Sequence, residues 1–119
     1  MNKFIDNKSL TRVIDKYKKN NQKIVLCHGV FDVLHSGHIL HFREAKKYGE
    51  ILIVSITADK FIYKGPNRPF YNLEQRMKII SEISIVDFVI PSLEATAISN
   101  LSFIRPDIYC KGLDYKNEK

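Results

Sequence analysis

Ser9 precedes an apolar stripe at Leu10, Val13, Ile14 and Tyr17, the i, i+3, i+4, i+7 spacing of one helix face, with lysines elsewhere. This predicts a short amphipathic lid helix over 10–19, capped at Ser9 and ended by Asn20-Asn21. Lys23 to Cys27 is a continuous β-branched, apolar run reaching Gly29, as expected of a strand buried on both faces. Ile39 to Tyr48 is helical in period, with Leu40, Ala45 and Tyr48 as inward positions and Gly49 as its stop. The alternation then repeats: a buried strand at 51–56, a helix at 73–83 capped by Asn72, a strand at 86–90, a helix at 95–103 and a strand at 107–110.

Strands alternating with helices imply parallel βαβ units, hence an α/β fold with helices on both faces of one parallel sheet. Ligands of such sheets sit beyond the carboxyl ends of the strands, so the segments after Cys27, Ile56, Ile90 and Cys110 are the ones to search. One connection is long. Thr57 to Tyr71 contains Lys64-Gly65-Pro66-Asn67-Arg68-Pro69, and a polar stretch of that length reads as a functional loop.

At 119 residues the chain is sized for one domain, 1–119, divided into a basic amino-terminal helix (1–22) and a core (23–115). Hydrophobic residues at 45% and charged residues at 27% exclude a disordered or fibrous protein. No run approaches the roughly 18 apolar residues of a membrane span, and the polar start lacks a signal peptide's apolar stretch, so a cytoplasmic location without membrane attachment is expected. The net charge of +6 is concentrated at the amino end, where residues 1 to 23 hold seven Lys/Arg against two Asp. Those cations have little aromatic interleaving, and they read as a solvated helix face without nucleic-acid binding. Cys27 and Cys110 are too distant in sequence for a CxxC pair and read as reduced core thiols.

The chemistry concentrates where the first strand runs into Gly29-Val30-Phe31-Asp32-Val33-Leu34-His35-Ser36-Gly37-His38, just before a helix. A glycine directly after a buried strand lets backbone N–H groups approach an anion, and the next helix adds its positive amino end. His35 and His38 are three apart, so at a first helical turn both project to the same side and could clamp a phosphate. The spacing alone also allows a metal pair, which would need further ligands, or two histidines that merely decorate a helix start.

The string Gly29-Val30-Phe31-Asp32 with His35-Ser36-Gly37-His38 resembles the GxFDxxHxGH signature of the cytidylyltransferase-like nucleotidyltransferases. Arg68-Pro69, Leu73-Glu74-Gln75-Arg76-Met77, Val86-Asp87, Pro106-Asp107 and Lys111-Gly112-x-Asp114-Tyr115 follow in the order found in the adenylyltransferase domains of ADP-heptose synthases. The likeness to glycerol-3-phosphate cytidylyltransferases is weaker. The resemblance implies a Rossmann-like, three-layer domain that joins ATP or CTP to a phosphorylated sugar or polyol and releases pyrophosphate, with Mg²⁺ accompanying the triphosphate. It gives His35 and His38 the α-phosphate in the transition state and Lys64 the neutralisation of phosphate charge. Gly29, Val30, Phe31 and Gly37 would contact the triphosphate, and Asp32 would either join them or cap the turn. Arg76 and, more weakly, Arg68 would hold a substrate phosphate, while Lys111, Gly112, Asp114 and Tyr115 would line base and ribose. Asp87 is expected in a structural role at a strand edge. No resident metal ligands are assigned, and a homodimer is suggested because such relatives often pair.

Two departures matter. Leu113 stands where close relatives have glycine beside the base pocket, and the family's further strand and GxSTT helix start do not occur before Lys119. The expectation is therefore a C-terminally truncated nucleotidyltransferase core, with a non-catalytic nucleotide-binding or interaction module as the alternative.

Overall fold

The computed structural model describes residues 3–62, 69–92 and 98–111. The elements run in the order α1 (Asn7–Lys19), β1 (Ile24–Gly29), α2 (Ser36–Lys46), β2 (Ile51–Thr57), a 3-10 turn (Asp59–Phe61), α3 (Leu73–Ser81), β3 (Phe88–Ser92), α4 (Ile98–Ile104) and β4 (Ile108–Lys111). The four strands form one parallel sheet in the order β3-β2-β1-β4.

The unbroken apolar runs have the cause expected of them. Every residue of β1 and β2 is buried, because each face of the sheet carries its own core. Val25, Cys27, Leu52, Val54, Ile56 and Val89 pack with Phe42 and Ala45 of α2 and Ile80 of α3. Ile24, Leu26, Ile51, Ile53 and Ile90 pack on the other face with Leu10 and Ile14 of α1 and Ile104 of α4. The result is three layers. Since α1 forms part of one layer, it is not a lid.

Several boundaries differ from expectation, three of them for a visible reason. The N-cap of α1 is Asp6, whose carboxylate accepts from the Ser9 N–H at 2.7 Å, so Ser9 is the residue being capped. Helix α2 begins at Ser36, and its inward face is His38, Phe42 and Ala45. Leu40 and Tyr48 are 56% and 60% exposed, because Leu40 lies off the His38–Phe42–Ala45 stripe and Tyr48 follows the last helical residue, Lys46. Strand β3 begins at Phe88, two residues later than expected, since Asp87 turns its side chain inward to accept from the Leu52 N–H at 2.8 Å and to pair with Lys46. That is the structural role assigned to Asp87. The Asn72 cap of α3 is observed, with a reciprocal bond to Gln75.

The edge of β3 is partly covered by the chain's own start. Phe4 makes a parallel bridge to Val89, and the Val89 N–H donates to the Lys3 carbonyl at 3.0 Å, occupying backbone groups that would otherwise be open to another strand. The chain builds outward from β1 to β2 to β3 and then returns to place β4 on the opposite side of β1. The reversal opens a crevice between the carboxyl ends of β1 and β4, where ligands of doubly wound sheets bind.

Candidate active site at the carboxyl end of the central strand

Strand β1 ends on Gly29, and the chain turns at once. Phe31 adopts φ 51°, the left-handed region that a bulky residue occupies only at a cost of about 1–3 kcal/mol. The turn folds the Phe31 ring back under Gly29, so tightly that a Cβ on Gly29 would lie 2.8 Å from the ring. Glycine is thus required by close approach. The same ring packs edge-on to His38 at 5.9 Å and against Phe42 at 5.3 Å, forming an apolar floor beneath the start of α2.

The two histidines stand on that floor. His35 is the N-cap of α2, and its Nδ1 accepts from the Gly37 N–H at 3.0 Å. The His35 backbone N–H in turn donates to Nδ1 of His38 at 3.2 Å. An imidazole that accepts at Nδ1 while neutral carries its proton on Nε2. Both rings are therefore fixed as Nε2–H donors, side by side, with centroids 4.2 Å apart at the positive end of an 11-residue helix. His35 is exposed and His38 is 5% exposed. This arrangement can accept an anion and donate to charge that grows on it.

Arg76 occupies a position different from the expected one. It is fully buried, and its guanidinium donates from Nε to the Tyr71 carbonyl (2.9 Å), from one terminal nitrogen to the carbonyls of Val30 (2.8 Å) and Thr57 (2.7 Å), and from the other to Asp59. The arginine joins the turn after β1, the end of β2 and the entry to α3. In this conformation it braces the walls of the site, and it pairs with neither Glu74 nor Glu82. Asp32 has the matching role: its two carboxylate oxygens accept from the Phe70 and Tyr71 N–H groups at 2.7 and 2.9 Å. The structural alternative for Asp32 is the one observed, although what it caps is the chain entering α3.

The structure thus gathers Gly29, Val30, Phe31, Asp32, His35, Gly37, His38 and Arg76 around one turn. Lys111 closes β4 and is the register partner of His28, which sets the end of β4 beside the end of β1. Lys64, Arg68, Gly112, Leu113, Asp114 and Tyr115 lie outside the described residues, as does the side chain of Lys111. Among the described residues no group of three His, Cys, Asp or Glu side chains could hold a metal ion, and no helix is long and apolar enough to cross a membrane.

One buried group escaped the sequence reading. His28, 3% exposed, meets the Ser55 hydroxyl through Nδ1 at 2.9 Å, while its Nε2 is buried without a hydrogen-bond partner. Burial depresses its pKa below the ordinary histidine value. The unfolded chain then binds a proton at mildly acidic pH that the folded chain resists, so this group lowers stability as pH falls below about 6.5. Urea unfolding at pH 7 and pH 5.5 is expected to show a smaller acid loss in His28→Asn than in the parent; an equal loss would mean that His28 titrates normally in the fold.

Residues 26–117 match the family described as Cytidylyltransferase-like. Curated relatives include the Bifunctional protein HldE of Blochmanniella pennsylvanica, 41% identical over 114 residues covering 94% of this chain and 24% of that protein. The Bifunctional protein HldE of Campylobacter jejuni is 39% identical over 93% of this chain and 24% of its own length. The chain thus spans about a quarter of these relatives. Among solved structures, a lipopolysaccharide core biosynthesis protein from Thermoplasma volcanium superposes with TM-score 0.68 at 33% identity, over 74% of this chain and 72% of that one. A pantoate-beta-alanine ligase from Francisella tularensis shares the fold, with TM-score 0.63 at 19% identity over 89% of this chain and 54% of the ligase. With the glycine turn, the paired imidazoles and the Rossmann-like parallel sheet in place, the chain belongs to the cytidylyltransferase-like family of nucleotidyltransferases.

Proposed function

We propose that this domain transfers a nucleoside monophosphate from ATP or CTP to the phosphate of a phosphorylated sugar or polyol, releasing pyrophosphate. The observation that carries the reading is the pair of imidazoles locked by the backbone as Nε2–H donors at the amino end of α2. In such a transfer an acceptor phosphate oxygen attacks the α-phosphorus, and the bond between that phosphorus and the oxygen bridging to the β-phosphate breaks. Negative charge grows on the α-phosphate oxygens and the leaving pyrophosphate, so the protein's work is chiefly positioning and electrostatic stabilisation. His35 and His38 donate to the α-phosphate, and the backbone of Gly29 to Phe31 and of Gly37 lies against the triphosphate. Lys64 neutralises phosphate charge, Arg68 assists the acceptor phosphate, and Lys111, Gly112, Asp114 and Tyr115 receive base and ribose.

Mg²⁺ enters this scheme with the triphosphate. Asp32 has both oxygens occupied by backbone N–H groups and Asp59 faces Arg76, so the described residues do not fit a protein-held ion. A heptose phosphate, glycerol phosphate, another sugar phosphate or a flavin phosphate would suit the chemistry of the acceptor.

The reading is tested by thermal shift with ATP and with CTP, with and without Mg²⁺, on the chain and on His38→Ala. A ligand present at 100 times its dissociation constant stabilises the folded state by about 2.7 kcal/mol, a shift of several degrees for a domain of this size. One nucleotide is expected to raise the melting temperature in the parent and not in the variant. No shift with either would count against a nucleotide site in this chain.

A further inference from the structure

Cys27 and Cys110 are Cα register partners on adjacent parallel strands, β1 and β4. Both pack into the same core layer, Cys27 fully buried within it and Cys110 half-buried against it. They lie within two residues of the ends of the two strands that flank the ligand crevice: His28 and Gly29 follow Cys27, and Lys111 follows Cys110. We infer that the two thiols form a reversible disulfide clasp between β1 and β4 that closes on exposure to hydrogen peroxide and opens with a dithiol.

The geometry permits the bond and makes it reversible. Neighbouring strands are about 4.7–4.9 Å apart, inside the Cα separation of about 4.4–6.8 Å that a disulfide spans. The Cβ atoms must nevertheless approach to about 3.5–4.5 Å, so closure draws the strand ends together. A bond formed under such distortion is more easily reduced than a relaxed one. The shorter partner is β4, a four-residue strand that among the described residues pairs with β1 alone.

The chemistry divides between the two sulfurs. The neighbouring Cys27 thiol lowers the pKa of Cys110 to about 7. The same proximity, added to burial, pushes the Cys27 thiol up. Cys110 therefore ionises more readily than Cys27 and is the more accessible of the two, the properties of an attacking cysteine. Its sulfur attacks one peroxide oxygen, breaking the O–O bond and forming a sulfenic acid, with the other oxygen leaving as water after protonation. The Cys27 sulfur then attacks the sulfenic sulfur, a second water leaves, and the S–S bond is made. Two thiols are oxidised, one peroxide is reduced to two waters, and a dithiol reverses the result through two exchanges.

The consequence for ligand binding rests on the nucleotide reading above, since closure displaces the backbone entering both His28-Gly29 and Lys111. The experiment treats the chain with stoichiometric peroxide, alkylates it under denaturing conditions, and analyses its mass and its proteolytic peptides. The expected result is loss of both free thiols from the monomer, with one linked pair of peptides containing Cys27 and Cys110 that separates on adding dithiothreitol. Cys27→Ala should instead accumulate oxidised Cys110 without an internal link. Two thiols still free after peroxide, or links formed only between chains, would overturn the clasp. The thermal shift with ATP or CTP is then compared in the reduced and linked forms, and is expected to shrink in the linked form. An equal shift in both would overturn the control of binding. A linked peptide pair in a protein that binds no nucleotide even when reduced would establish the clasp and count against the nucleotide reading.

Discussion

Replacing His38 by alanine is expected to cut pyrophosphate release from ATP or CTP by at least about 10²- to 10³-fold, the usual cost of one donor aimed at transition-state charge. The effect should fall on kcat and kcat/KM together, because the donation grows as charge develops on the α-phosphate. The variant also loses the ring that packs on Phe31 and the acceptor of the His35 N–H, a structural cost of about 1–3 kcal/mol. His35→Ala separates the two effects, since His35 is exposed and its removal leaves the aromatic floor intact. A comparable rate loss in both variants, with the His35 variant losing no more by urea unfolding than the roughly 0.5–2 kcal/mol of a helix cap, would match the proposed clamp. Undiminished turnover in His38→Ala would remove the histidine pair from the mechanism.

The largest stability effect is expected at Arg76. Methionine there keeps the bulk of the side chain but leaves the carbonyls of Val30, Thr57 and Tyr71 without their donor and Asp59 without its partner. Leaving a buried carbonyl without its donor costs about 1–3 kcal/mol, so losing several at once removes a large part of the roughly 5–15 kcal/mol that holds a domain folded. Most of the loss comes from the enclosed carbonyls. Asp59 is 46% exposed, so water screens its share and Asp59→Asn should cost less than about 1 kcal/mol. Urea midpoints of the two variants check the contrast. If Arg76→Met unfolds like the parent yet fails to bind the acceptor phosphate, the arginine is a ligand contact and the brace is not its role.

The alternation of layers is legible in the chain because a parallel strand covered on both faces must be apolar throughout, and Ile24 to Cys27 and Ile51 to Val54 are. The histidine constellation is legible for a similar reason, as a short spacing beside a glycine. What escaped depends on partners far away in sequence. The donors of Arg76 reach carbonyls at positions 30, 57 and 71, and nothing local distinguishes it from a surface arginine on an exposed helix. The start of α2 was displaced because the caps are imidazoles, outside the usual Ser, Thr, Asp and Asn set. Asp6 and Ser9 stand one helical turn apart, and either could serve as cap until Ile5 and Leu10 are seen to pack against the sheet. The return of β4 to the side of β1, which makes register partners of two cysteines, follows from chain crossover and has no signature in either strand.

The connection from β2 to α3 is held at both ends, by Asp59 on Arg76 and by Phe70 and Tyr71 on Asp32. The chain between those posts, which includes Lys64 and Arg68, therefore starts and finishes on fixed points. Closure entropy rises only logarithmically, by about 0.6 kcal/mol for each doubling of length. Residues can accordingly be gained or lost between the posts at little cost to folding, and neither the turn at Phe31 nor the helix at Leu73 need move. The anchors make this stretch a place where descendants of one sequence can change in length and charge while inheriting the turn, the histidine pair and the arginine brace unchanged.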